Sequence, residues 1–589
     1  MRAWRLLATL GAWGLSLAVG CAAGSSNESS AGFSPGPSDS VPSAGGSSGR
    51  SSGGAGDISA ADASTSLPPE THAESKYQAP VATGNVVWIA NPSSGNVAYI
   101  DVASLTVQTA AAGNAPTYVA AVAPAGGSTD GIDRAIVLNV LSQDATLFAR
   151  DANGNLSSST YPAVSTANSW AISPDGRWAI AWTNTTLVSA ANPAQGFETI
   201  TILDVNPPSG TTARPPTTLA TGYRPFNMVF SSNSSVLYAV TQAGIVVIDL
   251  VDGAAPTEVN AYPLIAANVS PDASTGSEPN DDAAEAAVRD ASANETSTPN
   301  NPPSSTSSVP DVSFSFGASW ALALIRTDSV PAITVLSLVD GTEAVVNLPG
   351  IPTDLAISPK GDFAIAVLRA SSTVVVLPLP GIVTSPSTTL QTVTIPGEII
   401  GQSVITQSGK HALLFTTATP ATRMTVLALG PNPSFRSVEL HAPIVAVFPT
   451  SDDGNAVVLH SVTPSNGVEG AFSMVPVATP GLPNIVSLPA PATAVALSQA
   501  GDRALVSILD QNSNTYGVVV GSMPSYVTTS YSLASPPTSV GIVEGPGQGY
   551  AAQSYTDGRI TFIDLADGGT RTITGFELNA RIVNGGEQP

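Results

Sequence analysis

The stretch "AISPDGRWAIAW", residues 171–182, contains residue types that chemistry uses: a serine, an aspartate and two tryptophans around a proline turn. Serine and aspartate at such a turn fit a catalytic loop, and they fit a β-hairpin equally well. The turn recurs as "SPKG" (358–361), where lysine takes the place of Asp175. A catalytic carboxylate is not expected to vary between internal copies, whereas proline and glycine suit a type I turn in both. The pattern therefore predicts a structural hairpin. Tryptophans flanking the turn are expected in the core: Trp170, Trp178 and Trp182.

Two further motifs could indicate a nucleophilic serine or a cofactor site, but the residues around them do not support either function. The G-x-S-x-G spacing occurs in "GGSSG" (45–49), inside a Ser/Gly tract that cannot form the strained strand-to-helix turn of a serine hydrolase. The glycines of "GPGQGY" (545–550) lack the helix that a dinucleotide site needs. We therefore expect no catalytic residue and no cofactor-binding residue.

Metal-ligand patterns are also incomplete. The acidic stretch 278–290 lacks the D-x-[DN]-x-[DN]-G spacing of a calcium loop, and "DANGN" (151–155) is followed by Leu156 where that loop needs glycine. The acidic stretch favours a solvated insertion, and "DANGN" favours a hairpin turn. No paired metal motif is formed by the four histidines, His72, His411, His441 and His460. We expect no metal site.

Cys21 is the single cysteine of the chain and follows a segment typical of a bacterial signal peptide. Arg2 and Arg5 supply positive charge, and "LLATLGAWGLSLAVG" (6–20) is apolar but short for a membrane span. Small residues precede the cysteine, which resembles the lipobox of bacterial lipoproteins, with Leu17 one position earlier than the usual leucine. Residues 1–20 are then a lipoprotein signal peptide and Cys21 is the lipid attachment site. The alternative is ordinary secretory cleavage after a small residue such as Ala23.

A tract rich in Ser, Gly and Pro follows Cys21 and continues to residue 79. Such a composition cannot bury enough apolar surface to offset its ordering entropy, so residues 21–79 are predicted to be a disordered tether. Its end-to-end distance as a flexible coil is about 40 Å. Ala22 stands where aspartate favours retention at the inner membrane in bacteria with two membranes. That resemblance implies an outer-membrane location.

The composition limits the classes of partner. With 589 residues and 43% hydrophobic side chains the chain can fill a large core, and 52 Gly with 49 Pro favour strands and turns over helices. The formal net charge of −23 would repel a phosphate backbone. Nucleic acid is therefore excluded as an expected partner.

From residue 80 onward the chain repeats a unit of roughly 40 to 50 residues. Each unit has an alternating strand, a polar turn and a second strand, then a third strand and a weaker fourth. Turn-bearing pairs begin at 169, 226, 354, 403, 445 and 494. Third strands include "TITILDV" (199), "IVVIDLVDG" (245) and "RITFIDLADG" (559), and "AVVNLPG" (344) is a fourth.

These units resemble the β-propeller superfamily, in particular the bacterial YVTN-type repeat, a relative of the WD40 type, whose pattern is an A-x-S-P-D-G turn and a V-x-V-I-D strand. The resemblance implies an all-β propeller of four-stranded blades over residues 80–589, with a disordered acidic insertion at about 273–310. About ten units are present, which leaves one large ring, two rings or split blades as alternatives. "FELNARIV" (576–583) is an alternating strand without partners of its own, and the first unit lacks its first strand. We therefore expect this C-terminal strand to complete the first blade and close the ring.

Two functions remain. The first is a non-enzymatic binding or scaffolding protein on the cell envelope, anchored to the membrane by lipid and binding a protein or glycan. The second is a metal-dependent hydrolase resembling propeller lactonases, in which acidic residues of the channel hold a divalent cation. Fold alone does not choose between them.

Overall fold

The computed structural model describes residues 68–73, 84–122, 131–184, 199–208, 210–251, 255–264, 311–386 and 390–576. The predicted signal peptide, Cys21 and the acidic insertion at 273–310 lie outside these residues, as does 577–583 of the proposed closing strand. Among the described residues, no helix is long and apolar enough to span a membrane.

The described chain forms ten antiparallel sheets in sequence order, each a blade of four strands except the first, which has three described strands. Blades 1 to 5 consist of β1 (Val86–Asn91), β2 (Asn96–Asp101), β3 (Thr106–Ala111); β4 (Pro116–Val122), β5 (Asp133–Asn139), β6 (Asp144–Arg150), β7 (Leu156–Pro162); β8 (Ser169–Ile172), β9 (Trp178–Trp182), β10 (Thr199–Asp204), β11 (Thr217–Ala220); β12 (Pro225–Phe230), β13 (Val236–Thr241), β14 (Gly244–Asp249), β15 (Thr257–Pro263); β16 (Asp311–Phe316), β17 (Ala321–Arg326), β18 (Ala332–Ser337) and β19 (Glu343–Asn347).

Blades 6 to 10 consist of β20 (Asp354–Ile357), β21 (Phe363–Leu368), β22 (Thr373–Pro378), β23 (Gln391–Thr394); β24 (Gln402–Ile405), β25 (His411–Phe415), β26 (Arg423–Ala428), β27 (Ser434–Glu439); β28 (Ile444–Pro449), β29 (Asn455–His460), β30 (Gly470–Pro476), β31 (Asn484–Leu488); β32 (Ala492–Leu497), β33 (Arg503–Asp510), β34 (Thr515–Ser522), β35 (Thr528–Ser532); β36 (Pro537–Val543), β37 (Gln548–Gln553), β38 (Arg559–Asp564) and β39 (Thr570–Thr574). A single helical turn, α1 (Gly381–Thr384), and a 3₁₀ turn (Arg369–Ser371) belong to blade 6.

Burial explains why the strands of a blade differ in sequence. All five residues of β9 are buried, because the middle strands of each blade are covered on both faces by the neighbouring blades. The fourth strand β15 is exposed along nearly its whole length, since it lies at the outer rim. Middle strands are therefore continuous apolar runs, whereas the sequence predicts alternation.

The blades form one ring of ten. Ten clusters of buried apolar residues each join two consecutive blades. The cluster that joins the ends contains Val87 and Ile100 of blade 1 and Tyr550 and Phe562 of blade 10. Phe576, the first residue of the proposed closing strand, is 2% exposed and belongs to the same cluster. The ten-bladed propeller with a single ring is thus confirmed, and the two-ring and split-blade alternatives are wrong.

The turn at residues 173–176 has the same hydrogen-bonded structure in several blades. In six blades a serine or threonine follows the first strand, and its hydroxyl accepts a hydrogen bond of 2.9–3.4 Å from the backbone amide five residues later. These residues are Ser173, Ser231, Ser358, Thr406, Thr450 and Ser498. The fourth residue of each turn has a positive φ, for example 69° at Gly176 and 70° at Gly361. The predicted hairpin is confirmed, and Trp170, Trp178 and Trp182 are all buried as expected.

Candidate functional site

The first strands of blades 6, 7 and 8 all begin at one face of the ring, where their second strands end. This follows from the pairs Asp354–Val367, Gln402–Phe415 and Ile444–His460. We call this side the front face. The first strands of successive blades are neighbours, which places them innermost around the ring axis.

Residues 68–73, which we call the strap, lie on the front face against blades 6 and 7. The Arg369 guanidinium donates to the carbonyl of Pro68 at 3.1 Å, and the amide of Thr71 donates to Thr417 Oγ1 at 2.8 Å. The strap belongs to the segment 21–79, predicted as a disordered tether, but these residues bind the ring instead. The rest of that segment lies outside the described residues.

The carboxylate of Glu70 is the centre of this contact, with its side chain only 2% exposed. Oε1 accepts from Arg369 Nη1 at 2.7 Å and from Thr416 Oγ1 at 2.8 Å. Oε2 accepts from the amide and hydroxyl of Thr417 at 2.7 and 2.9 Å and from the amide of Ala418 at 3.1 Å. Burial alone would raise the pKa of Glu70, but the bonds from Thr417, Thr416 and Arg369 outweigh it and hold the pKa below its usual value. The carboxylate is therefore bound as an anion.

Space for this carboxylate depends on a glycine. A Cβ added at Gly401 would overlap Glu70 Oε1. The backbone of Gly401 has no left-handed conformation, so alanine is conformationally acceptable at this position, and the nearest atoms that its Cβ would meet all belong to the side chain of Glu70. We call the set of Arg369, Gly401 and residues 416–418 the Glu70 pocket.

His72 of the strap lies over a second buried carboxylate. Its Nε2 is 3.9 Å from Oδ1 of Asp354, which begins the innermost strand of blade 6. Asp354 Oδ2 accepts hydrogen bonds from the amide and hydroxyl of Ser403 at 2.6 and 2.7 Å. Burial raises the pKa of Asp354, and His72 and Ser403 oppose that rise.

A cleft of about 660 Å³ opens beside the strap, between blades 7 and 8. Its walls are Thr71 and Ala73 of the strap and residues 417–420, 441–445 and 461–463. His441 is the one titratable group in this lining, which otherwise consists of hydroxyl, proline and aliphatic side chains and contains no Phe, Tyr or Trp. The cleft therefore offers neutral hydrogen-bonding and apolar surface. A second, smaller cavity of about 360 Å³ lies between the outer strands of blades 5 and 6 and has no titratable group in its lining.

The other histidines are structural or peripheral. His460 is buried beneath the cleft, with Nδ1 3.3 Å from the carbonyl of Pro443 and Nε2 2.6 Å from Ser473 Oγ. Burial lowers its pKa to about 4, so this imidazole is neutral near pH 7. His411 begins β25, and burial lowers its pKa also. No three His, Cys, Asp or Glu side chains among the described residues are grouped to hold a metal ion.

The two glycine-containing motifs occupy turns. Residues 151–155 connect β6 to β7, where the carboxylate of Asp151 accepts from the amides of Asn153 and Asn155. Residues 545–547 lie between β36 and β37 with no helix after them. Both placements agree with the sequence interpretation.

Sequence reasoning missed the strap and the Glu70 pocket. The available signal was the string "PPETH" at the end of a tract otherwise rich in Ser and Gly, where two prolines favour an extended backbone before a charged residue. Its binding partners lie about 300 or more positions away in the chain, as with Arg369. No local pattern connects them.

Fold and site together define a ten-bladed β-propeller with a neutral cleft on one face. The sequence matches no protein-family model and no curated protein. Among solved structures, the chain is similar to the dihydro-haem d1 dehydrogenase NirN in complex with DHE, at 12% identity and a TM-score of 0.39, covering 70% of this chain and 75% of that one. It is also similar to a eukaryotic initiation factor, at 12% identity and a TM-score of 0.42, covering 73% and 93%. A third is apo AztD from Citrobacter koseri, at 13% identity and a TM-score of 0.36, covering 67% and 94%. None of these likenesses carries an inference about function.

Proposed function

We propose that this protein is a binding protein of the cell envelope, in which a ten-bladed propeller anchored by lipid at Cys21 presents the front-face cleft to a partner. The observation that carries the proposal is the strap: the front face already binds a segment of peptide chain through backbone and side-chain contacts beside the cleft. A surface with this chemistry suits a further peptide segment.

The lining of the cleft favours a protein over a glycan. Sugar rings commonly bind by placing their C–H faces on aromatic rings, and the cleft lining has none. Its threonine and serine hydroxyls can both donate to and accept from a peptide backbone instead. The partner we propose is therefore a protein segment in an extended conformation, with a glycan as the weaker alternative.

A matched pair of variants tests the cleft. Ser461→Trp places an indole in the cleft from an exposed position, and Leu482→Trp places the same group where the side chain is already 88% exposed. Leu482 lies between β30 and β31, at the opposite face, because β30 runs away from the front face. Both full-length proteins are used as bait in envelope extracts. We expect Ser461→Trp to lose the partners that the wild type and Leu482→Trp retain, and equal capture by all three would refute the cleft as the binding surface.

The anchor rests on the sequence and has its own test. Cys21→Ser removes the only thiol of the chain, so it should abolish labelling with a fatty-acid analogue and release the protein from membranes. A variant that stays labelled and membrane-bound would refute lipidation. A wild type that is secreted without lipid would instead support ordinary cleavage after Ala23.

The hydrolase alternative requires a ligand set for a divalent cation, and the described residues do not provide one. A lactone-hydrolysis assay with added Ca²⁺ distinguishes the two functions. Turnover above that of heat-treated protein would favour the hydrolase.

A further inference from the structure

The Glu70 pocket is built from separate parts of the propeller that meet at one carboxylate. Arg369 comes from the turn after β21 in blade 6, and residues 416–418 come from the end of β25 in blade 7. One guanidinium N–H, two hydroxyls and two backbone amides point at the two oxygens of Glu70. Charge-assisted hydrogen bonds of this kind are about twice as strong as neutral ones.

This arrangement selects for glutamate. Arg369 and the amides of Thr417 and Ala418 can only donate, so a glutamine NH2 group at either oxygen position would face at least one N–H group that cannot accept from it. A neutral amide would also lose the charge that strengthens all five hydrogen bonds. Aspartate is one methylene shorter and would not reach the pocket from the same backbone path. Pro68 and Pro69 restrict the preceding backbone to extended conformations, which lowers the entropy lost on binding.

We propose that the Glu70 pocket is a carboxylate-specific site for an extended peptide. The strap of the same chain occupies this site and thereby forms one wall of the cleft. The two sites share Thr417 and Ala418, and the strap contributes Thr71 and Ala73 to the cleft lining. Occupancy of the pocket therefore controls the shape of the cleft. The inference stands independently of which partner binds the cleft, or whether any does.

A peptide in trans tests the pocket with the full-length protein. Glu70→Lys places an ammonium group beside Arg369, which should expel the strap without altering the propeller. The probe is the fluorescein-labelled peptide SLPPETHAES, residues 66–75, and the readout is fluorescence anisotropy. We expect saturable binding to Glu70→Lys, and binding to the wild type weaker by tenfold or more, because the tethered strap competes at a high effective concentration.

Two controls make the test specific. In the first, the double variant Glu70→Lys, Gly401→Ala keeps every donor of the pocket but fills the space for the carboxylate, so the peptide should not bind. In the second, the peptide SLPPQTHAES should bind Glu70→Lys about tenfold or more weakly than the glutamate peptide. Far-UV circular dichroism and the melting temperature of both variants should match the wild type apart from the contribution of the strap.

Hydrogen exchange measures the link to the cleft. Residues 416–420 and 441–445 should exchange faster in Glu70→Lys than in the wild type, and saturating peptide should restore the slower exchange. The proposal is overturned if the glutamine peptide binds as well as the glutamate peptide, or if the double variant binds normally. Equal binding to the wild type and to Glu70→Lys would overturn occupancy within the same chain.

Discussion

Replacing Phe576 with alanine removes a buried aromatic ring at the point where the last blade packs against the first. Its side chain is 2% exposed and shares a cluster with Val87 of blade 1 and Tyr550 and Ile573 of blade 10. Among the described residues, no other blade interface joins residues so distant in sequence, so loss of the phenyl group specifically weakens closure of the propeller.

The expected cost follows from the size of the buried group. Truncating a buried phenylalanine to alanine typically costs about 3–5 kcal/mol, which combines lost transfer free energy with the cavity left behind. An unfolding entropy of about 2.1 cal/mol/K per residue gives about 1 kcal/mol/K for a ring of roughly 500 residues. If the ring unfolds as one unit, the melting temperature should therefore fall by about 3–5 °C.

Differential scanning calorimetry of Phe576→Ala measures this shift, and Phe435→Ala is the matched control. Phe435 lies on the outer strand β27 and is 42% exposed, so its removal should change the melting temperature by about 1 °C or less. Truncation after Gly575 should destabilise at least as much as Phe576→Ala and should promote aggregation through the newly exposed edge. Equal melting temperatures for Phe576→Ala and Phe435→Ala would refute the role of this residue in closure.

Three further outcomes are expected. His460 has a pKa of about 4 in the folded state against 6.5 when unfolded, so stability present above pH 6.5 should fall by up to about 3 kcal/mol as the pH drops to 4. Urea unfolding measures the free energy of unfolding against pH, and His460→Gln should lack this decrease. The exposed His441→Gln is the control and should keep it. Thr406→Val leaves the partly buried backbone amide of His411 without its acceptor and should cost about 1–2 kcal/mol in the same assay, against about 0.5 kcal/mol or less for the exposed Thr463→Val. Deleting residues 275–308 with a short Gly/Ser link should leave the melting temperature nearly unchanged, and a large decrease would mean that the segment packs as a structural element.

The repeated turn could be predicted because its chemistry is local. Ser173 and Trp178 are five positions apart, and the backbone amide of Trp178 donates a hydrogen bond to the hydroxyl of Ser173 within the same hairpin. Substituting lysine for aspartate between copies was enough to separate a structural turn from a catalytic one. The four-strand order of a unit also follows from a pattern that each unit carries within itself, whereas the number of blades was predicted only as about ten, with split blades left open.

The local sequence patterns did not distinguish one ring of blades from two. The C-terminal strand was expected to close the ring on the first blade, but one ring, two rings and split blades all stayed open, because the blade interfaces use the same kinds of apolar residues throughout. Packing of Tyr550 and Phe562 against Val87 decides it, and these contacts join the two ends of the ring.

The sequence by itself determined the strands, the turns between them and the candidate anchor at Cys21, because each depends on neighbours within a few residues. The acidic composition is a property of the sequence alone. Only the tertiary structure decided that Glu70 is bound, since its donors Arg369 and Thr417 and the space left by Gly401 are brought to one point by the packing of blades 6 and 7. A buried carboxylate is stable only where several donors converge on it. Convergence across about 300 or more positions is a property of the folded ring, which no local pattern in the chain encodes.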